Sequence, residues 1–473
     1  MPSAADNPYR ALPSVDALAA EPALADLAGE FGPELVTRLI QGAVDRMRSQ
    51  IRERDLDGSA VRARVDAGDL VRDVQAAVAR ERRAGVVPIV NATGVVLNTG
   101  LGRAPVHPEA AAAMAAVAGG YCVLEVDRES GKRNRRDDRV GELVGRLVGC
   151  EAAIAVNNCA AAVYLSLQTF AGARAAVLSR GELVEIGGSF RMPDVMSRAG
   201  VRLVEVGTTN RTRGADFERA LDTEPDVAAL LKVHTSNYRV VGFVEEVSPA
   251  QLAQIGAARG VTTIYDLGSG RLDAPGTASL DFLGDEPDVR EAVASGVDVV
   301  LFSGDKLLGA PQAGILAGKA EAIGALRANP IYRAVRLDKV GLAGLEKTLE
   351  LLLAGRGDEL PARALLTASA AQIEPRARAL AAELAGLPQL TAEVVGELSQ
   401  PGSGSAPDVF LPTFCIRVVH EQHSAEALSR ALRRGEPPVF ARVHDDRVLL
   451  DPRTLLPGDD ARLVQAFAIL TGA

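Results

Sequence analysis

Two side chains in this 473-residue chain have types and spacing that suggest covalent chemistry. Asp266 follows the apolar run Val261–Tyr265 and precedes Leu-Gly-Ser-Gly270, while Lys306 follows the run Val297–Phe302 in Ser303-Gly-Asp-Lys306. Read singly, an aspartate at a strand end is a turn or cap residue, and a lysine is a solvated charge. Together, an acid at one strand tip and a lysine about one strand–helix unit later form the pair that pyridoxal 5'-phosphate needs. Lys306 would form the Schiff base with the cofactor aldehyde. Its amine must be neutral to attack, which a site poor in water favours. Asp266 would pair with the pyridine nitrogen and keep it protonated, so that the ring can take up carbanion electrons. Behind the run Ala228–Val233 lies His234-Thr-Ser-Asn237, a cluster of hydrogen-bonding groups in which Asn237 is placed to donate to the ring hydroxyl. After Val156, Asn157 and Asn158 open an alanine-rich helix whose free N–H groups and dipole suit a phosphate. Ser303 would join them, although Asn158 taken alone is an ordinary N-cap.

Each candidate sits behind a short apolar run, and seven such runs recur: Ala152–Val156, Ala175–Leu178, Arg202–Val206, Ala228–Val233, Val261–Tyr265, Val297–Phe302 and Gly314–Ala317. Near-continuous apolar strands separated by helical stretches predict an α/β domain with a mostly parallel seven-stranded sheet covered on both faces. Ligands bind at the carboxyl ends of such strands. Pro287 and Gly296 punctuate one connecting helix as its first position and the residue past its end. This large domain is expected over residues 86–340. Residues 1–85, with Glu34–Arg52 and Asp69–Arg82 at helical spacing, read as a helical module. Residues 341–473 read as a small α+β domain. It contains a loop at Gln400–Pro407, strands at Phe410–Val419 and Val439–Leu450, and a closing helix at Asp460–Leu470.

The composition, 47% apolar and 24% charged, is that of a globular chain. No apolar run of about 18 residues occurs and the first ten residues are polar, so neither a membrane span nor a secretion signal is expected. Cys122, Cys150, Cys159 and Cys415 form no CxxC pair, which fits a reducing cytoplasm better than a disulfide framework or zinc. The chain carries no GxxxxGK[ST] loop, no GxSxG elbow, no HExxH and five histidines, leaving little for nucleotide, serine-hydrolase or metal chemistry. Net charge is −9, yet Leu35 to Arg83 holds eleven arginines against eight acids. From charge alone that run is a solvated helix surface.

The stretch Asn91-Ala-Thr-Gly-Val-Val-Leu-Asn-Thr-Gly-Leu-Gly-Arg-Ala-Pro105, with Ser303-Gly-Asp-Lys-Leu-Leu-Gly-Ala-Pro-Gln-Ala-Gly314, closely resembles the bacterial selenocysteine synthase family. Arg10–Asp16, Arg180–Arg191, Val206–Thr212 and Asp266–Gly270 match as well, so the likeness runs over essentially the whole chain. It implies an aspartate-aminotransferase-like (fold type I) enzyme that converts L-seryl-tRNA(Sec) to selenocysteinyl-tRNA(Sec) with selenophosphate, through a dehydroalanyl intermediate. It also implies a decameric ring of dimers, and at least a dimer. By the same resemblance Arg103, Arg333 and Arg336 are anion-binding arginines, suited to phosphate by their planar forks, and Asp305 is an active-site acid. Residues 1–85 become a tRNA-gripping module, which reverses the solvated-surface reading of the arginines. The pattern departs from the family at Ala310, at Cys159, and at Asn134-Arg135-Arg136.

Two rival readings remain at this level. One is a related enzyme acting on a free small amino acid or amino sugar phosphate without tRNA. The other is an idle RNA-binding protein on the same scaffold, which the Lys306/Asp266 pair disfavours.

Overall fold

The computed structural model describes residues 7–82, 84–188, 190–402 and 404–473. Arg83 of the arginine run, Ser189 of the Arg180–Arg191 motif, Ser403 of the Gln400–Pro407 loop and the first six residues lie outside that set. Contacts divide the chain into two compact units, 1–88 and 89–473.

The first unit is helical. Its longest helix, Pro33–Arg54, buries Val36, Ile40, Ala43, Val44, Met47 and Ile51 on one face, the spacing of an amphipathic helix. Asp69–Arg82 buries Leu70, Val74, Ala77 and Val78. Both helices share a core with Leu24 and Val61, and Arg38, Arg46, Arg54 and Arg80 lie exposed on the outer surface.

The second unit holds β1 (Val90–Ala92), β2 (Ala152–Val156), β3 (Ala175–Ser179), β4 (Glu185–Ile186), β5 (Phe190–Arg191), β6 (Arg202–Val206), β7 (Val227–Val233), β8 (Thr262–Gly268), β9 (Val299–Ser303), β10 (Gly314–Gly318), β11 (Leu390–Ser399), β12 (Leu411–His420), β13 (Val439–His444) and β14 (Arg447–Leu450). Seven of them form the expected sheet, in the order β2-β10-β9-β8-β7-β3-β6. All neighbours are parallel except β10, which runs antiparallel to β2 and β9. The connection 304–313 is too short for a parallel crossover, so the chain must return beside β9. Both faces are apolar: β3, β7, β9 and β10 are buried at every residue, as double-sided cover requires.

A second sheet, in the order β1-β13-β14-β12-β11, lies in the C-terminal part. The structure departs from the sequence reading here and in two helices of the large domain, and β11 is a strand that the sequence reading did not expect. Val439–Leu450 is two strands, turned at Asp445 and Asp446, both with positive φ, the backbone of a type I′ hairpin. β1 leaves the large domain to pair in parallel with β13, burying Val90 and Ala92 in that core. The helix Lys339–Leu353, expected largely in the small domain, carries Leu342, Leu345, Leu349 and Leu352 into the core of the seven-stranded sheet. Pro287 lies outside its helix, which runs Val289–Ala294 with Asp288 as N-cap. Among the described residues no helix is long and apolar enough to cross a membrane.

Candidate active site

The carboxyl ends of β8 and β9 bring the two central residues into one buried place. Asp266 lies opposite Leu301 in the β8–β9 register, and Lys306 follows β9 by three residues; each is 7% exposed. The lysine turn is tied down at both ends. Leu307 N donates to Ser269 O at 3.0 Å, and Gly304 N donates to Ala313 O at 2.9 Å. Lys306 Nζ donates to Gly404 O at 3.3 Å. Gly404 has φ +84, and a Cβ there would meet Nζ at 3.0 Å, so glycine permits both the left-handed turn and the close approach. Burial pushes the Asp266 carboxyl up to about 6, against the pull of the Lys306 charge, the Cys159 thiol and His234. Cys159 Sγ donates to Asp266 Oδ1 at 3.6 Å. His234 N donates to Asp266 O at 2.9 Å, and its Nε2 lies 3.4 Å from Glu286 Oε2. Burial opposes the charge on Glu286, but His234 and the Ala406 N–H outweigh it and hold that carboxyl below its ordinary value.

Ser303 and the expected phosphate-binding helix start meet across β10. Gly314 pairs with Val156 on one side and Ser303 on the other. The approach is tight: a Cβ at Gly314 would fall 2.2 Å from Asn158 O. Asn158 caps the helix Cys159–Ala171, its Oδ1 accepting from Ala161 N at 2.9 Å. Asn157 is exposed, with its amide turned so that Nδ2 donates to Val335 O and Arg336 O at 3.2 and 2.9 Å. Its side chain serves the chain that carries Arg336. Asn237 does not offer its donor to the site, since Nδ2 is committed to Glu185 O at 2.7 Å.

Among the arginines, Arg103 sits beside the lysine turn. Its φ is +61, a strained backbone for a residue with a Cβ. Arg103 N donates to Asn98 O at 2.9 Å and Ala104 N to Asp305 O at 3.2 Å, and Arg103 Nη1 meets Asp305 Oδ2 at 2.8 Å. Arg336 Nη1 lies 3.2 Å from Glu125 Oε1, which also takes Arg136 at 2.6 Å. The Arg136 guanidinium, with Arg336 and Arg133 behind it, holds the Glu125 carboxyl below the usual range. Arg333 is exposed and makes no ion pair among the described residues. Sequence reasoning missed Glu125, Glu286 and the Gly404 carbonyl. Arg136 was in view as a departure from pattern, but its partner lies eleven residues upstream, at no telling spacing.

The site suits an aromatic aldehyde that carries a ring nitrogen and a phosphate, while Asn237 is not free to serve a ring hydroxyl. A buried amine and acid face one another electrostatically, and a capped helix start lies two strands away. Among the described residues Ser236 Oγ and Asn237 Oδ1 are buried without hydrogen-bond partners, unusual enough in a folded chain to mark a ligand's surroundings, while Ser269 helps to hold the Glu286 carboxylate. A cavity of about 770 Å³ opens next to Glu286, bounded also by His234, Tyr265, Lys232 and Ala406; neither Lys306 nor Asp266 lines it. Its floor holds the Lys232–Glu182 pair, 2.9 Å apart.

Residues 89–456 match the family described as L-seryl-tRNA selenium transferase, and residues 9–48 match the selenocysteine synthase N-terminal family. The chain is 45% identical over 472 residues to the L-seryl-tRNA(Sec) selenium transferase of Moorella thermoacetica, covering 97% of this chain and 96% of that one. It is 42% identical over 399 residues to the enzyme of the same name from Aquifex aeolicus, covering 84% and 87%. Among solved structures, that of D-glucosaminate-6-phosphate ammonia-lyase aligns with a TM-score of 0.58 at 25% identity, covering 83% of this chain and 98% of that one.

Proposed function

Given that the chain belongs to the L-seryl-tRNA selenium transferase family, we propose that this site converts L-seryl-tRNA(Sec) to L-selenocysteinyl-tRNA(Sec) with selenophosphate as the selenium donor. The observation that carries the reading is the buried Lys306/Asp266 pair at adjacent strand ends. Pyridoxal 5'-phosphate is the cofactor. Lys306 Nζ holds its aldehyde, Asp266 its ring nitrogen, and Ser303 with the Asn157/Asn158 helix start its phosphate. Bound there, it supplies an aldehyde that exchanges amines and a ring that accepts the electron pair left by the departing α-proton.

The chain's own residues do the rest. Lys306 Nζ, nearly shut off from water and held by one carbonyl, is the base that moves the serine α-proton. Asp266 keeps its negative charge beside Lys306, and His234 braces the strand end behind it through Glu286. Asp305 orients Arg103, which with Arg333 and Arg336 receives the anionic selenium donor. The helical unit of the first 85 residues grips the tRNA through its outward arginines. The enzyme works in the cytoplasm as a homo-oligomer, at least a dimer and, as in its family, a decamer. Residues 86–340 and 341–473 act as its large and small domains, apart from β1 and the helix Lys339–Leu353.

Two measurements test this. Purified protein should absorb in the visible through the lysine-bound cofactor, and Lys306→Ala should lose both that absorbance and selenium incorporation. A colourless wild type that takes up no pyridoxal phosphate would sink the reading. The ammonia-lyase likeness supports a second reading, a small-molecule enzyme. Filter binding separates the two: Ser-tRNA(Sec) retained over Ser-tRNA(Ser) supports the first, and negligible binding of both supports the second.

A further inference from the structure

Cys159 is the first residue of the helix Cys159–Ala171, and its thiol points away from the helix toward Asp266. Its S–H, 3.6 Å from Oδ1, is the one side-chain hydrogen bond that Asp266 accepts among the described residues. Burial pushes the thiol well up, and the neighbouring Asp266 charge adds to this. The sulfur therefore keeps its proton at neutral pH and acts as a donor, not as a competing anion. Oδ2 of Asp266 accepts no side-chain hydrogen bond among the described residues.

We propose that Cys159 is a positioning residue of this site: by donating its S–H to Oδ1 it fixes the rotation of the Asp266 carboxylate, holds it in its charged form, and leaves Oδ2 for the cofactor's ring nitrogen. This rests on the pyridoxal phosphate reading above. A thiol is a weak donor, so Cys159 steadies the acid without discharging it. The other titratable groups that face Asp266 are Lys306, from the turn after β9, and His234, from the end of β7, the latter backed by Glu286. Lys306 is held by Gly404 O and His234 by Glu286, not by Cys159, so the effect of the thiol can be isolated.

The test compares Cys159→Ala, which removes the donor, with Cys159→Asn and Cys159→Ser, which supply stronger ones. Equilibrium dialysis of the loaded enzyme against pyridoxal phosphate, from pH 5 to 8.5, reads affinity and the pH at which it falls off. Removing the donor should weaken binding about threefold, the scale of a weak S–H···O contact, and move the acid limb to higher pH. At least one of the stronger donors should move the limb to lower pH. A space-filling cysteine predicts comparable losses in all three variants with an unmoved limb, and that pattern overturns the proposal. Should the wild type bind no pyridoxal phosphate, the cofactor reading fails by itself. The pH dependence of urea stability in the unloaded proteins then still reports whether Cys159→Ala raises the pH at which Asp266 ionises, and no change there refutes the role of the thiol.

Discussion

Asp266→Asn should make the cofactor-free protein more stable while abolishing its chemistry. Burial raises the Asp266 carboxyl from 3.8 to about 6, so the folded chain binds a proton that the unfolded chain releases between those values. Folding stability must then fall as pH rises through that window. At about 1.4 kcal/mol per pH unit the full cost is about 3 kcal/mol, present at pH 8 and about half developed at pH 5. Asparagine keeps the shape and removes the charge, and with it the cost. Urea denaturation of unloaded wild type and variant, at one fixed protein concentration, should show the variant more stable by about 3 kcal/mol at pH 8 and by about half that at pH 5. The same variant should lose selenium transfer and bind pyridoxal phosphate weakly, because nothing then balances the protonated ring nitrogen. A variant less stable at pH 8, or a gain that does not change with pH, would refute the view that this acid is held charged at the expense of the fold.

Three further outcomes follow from the geometry. Gly314→Ala would place a Cβ 2.2 Å from Asn158 O, 2.4 Å from its carbonyl carbon and 2.9 Å from Cys159 N. These are backbone atoms that cannot swing aside, so thermal denaturation should show a loss of about 3 kcal/mol and dialysis a weaker hold on the cofactor; an unchanged Tm would count against the tight helix–strand approach. Arg333→Ala should leave cofactor absorbance intact and slow selenium transfer about tenfold or more, as expected for losing a charge-assisted contact to an anion; equal transfer rates would remove Arg333 from the site. If the outward arginines of the first unit meet about four phosphates, tRNA affinity should fall about 100-fold between roughly 50 and 200 mM salt; a flat salt response would return those arginines to the solvated-surface reading.

The seven-stranded sheet was legible because its strands are buried on both faces, and each therefore stands out as an unbroken apolar run at a fixed place between helices. The same clarity located Asp266 and Lys306, which lie at the ends of such runs. The C-terminal sheet was harder to read. β11 buries only its end residues in Leu-Thr-Ala-Glu-Val-Val-Gly-Glu-Leu-Ser, with half-buried and exposed residues between them, and neither its composition nor its neighbours separate it from a loop. The turn at Asp445 and Asp446 lacks the glycine that usually marks a type I′ hairpin. Asn237 misled for another reason. Its position one strand–helix unit before Asp266 suggested a ring-hydroxyl donor, but the backbone carbonyl of Glu185, 52 residues away, claims its amide. Spacing cannot reveal such a competitor.

The Asn91–Pro105 and lysine segments work as one mechanical unit. Val90–Ala92 pairs with β13, then Val96 N and Leu97 N donate to Gln400 O and Pro401 O at 3.1 and 2.8 Å. The next residues along the 400s strand of chain reach Gly404, whose carbonyl accepts from Lys306 Nζ. The next residues along the Asn91 segment reach Arg103, held by Asp305, the residue beside Lys306. Both segments thus leave the small sheet side by side and close on the same lysine, one supplying its acceptor and the other a guanidinium. A loop of glycine, serine and proline at 400–407 looks like a spacer in composition, yet its function depends on that pairing. The strained φ of Arg103 is tolerated for the same reason: the Asn98 and Asp305 backbone bonds on either side of it fix the turn, so a residue that would otherwise relax keeps its guanidinium against Asp305.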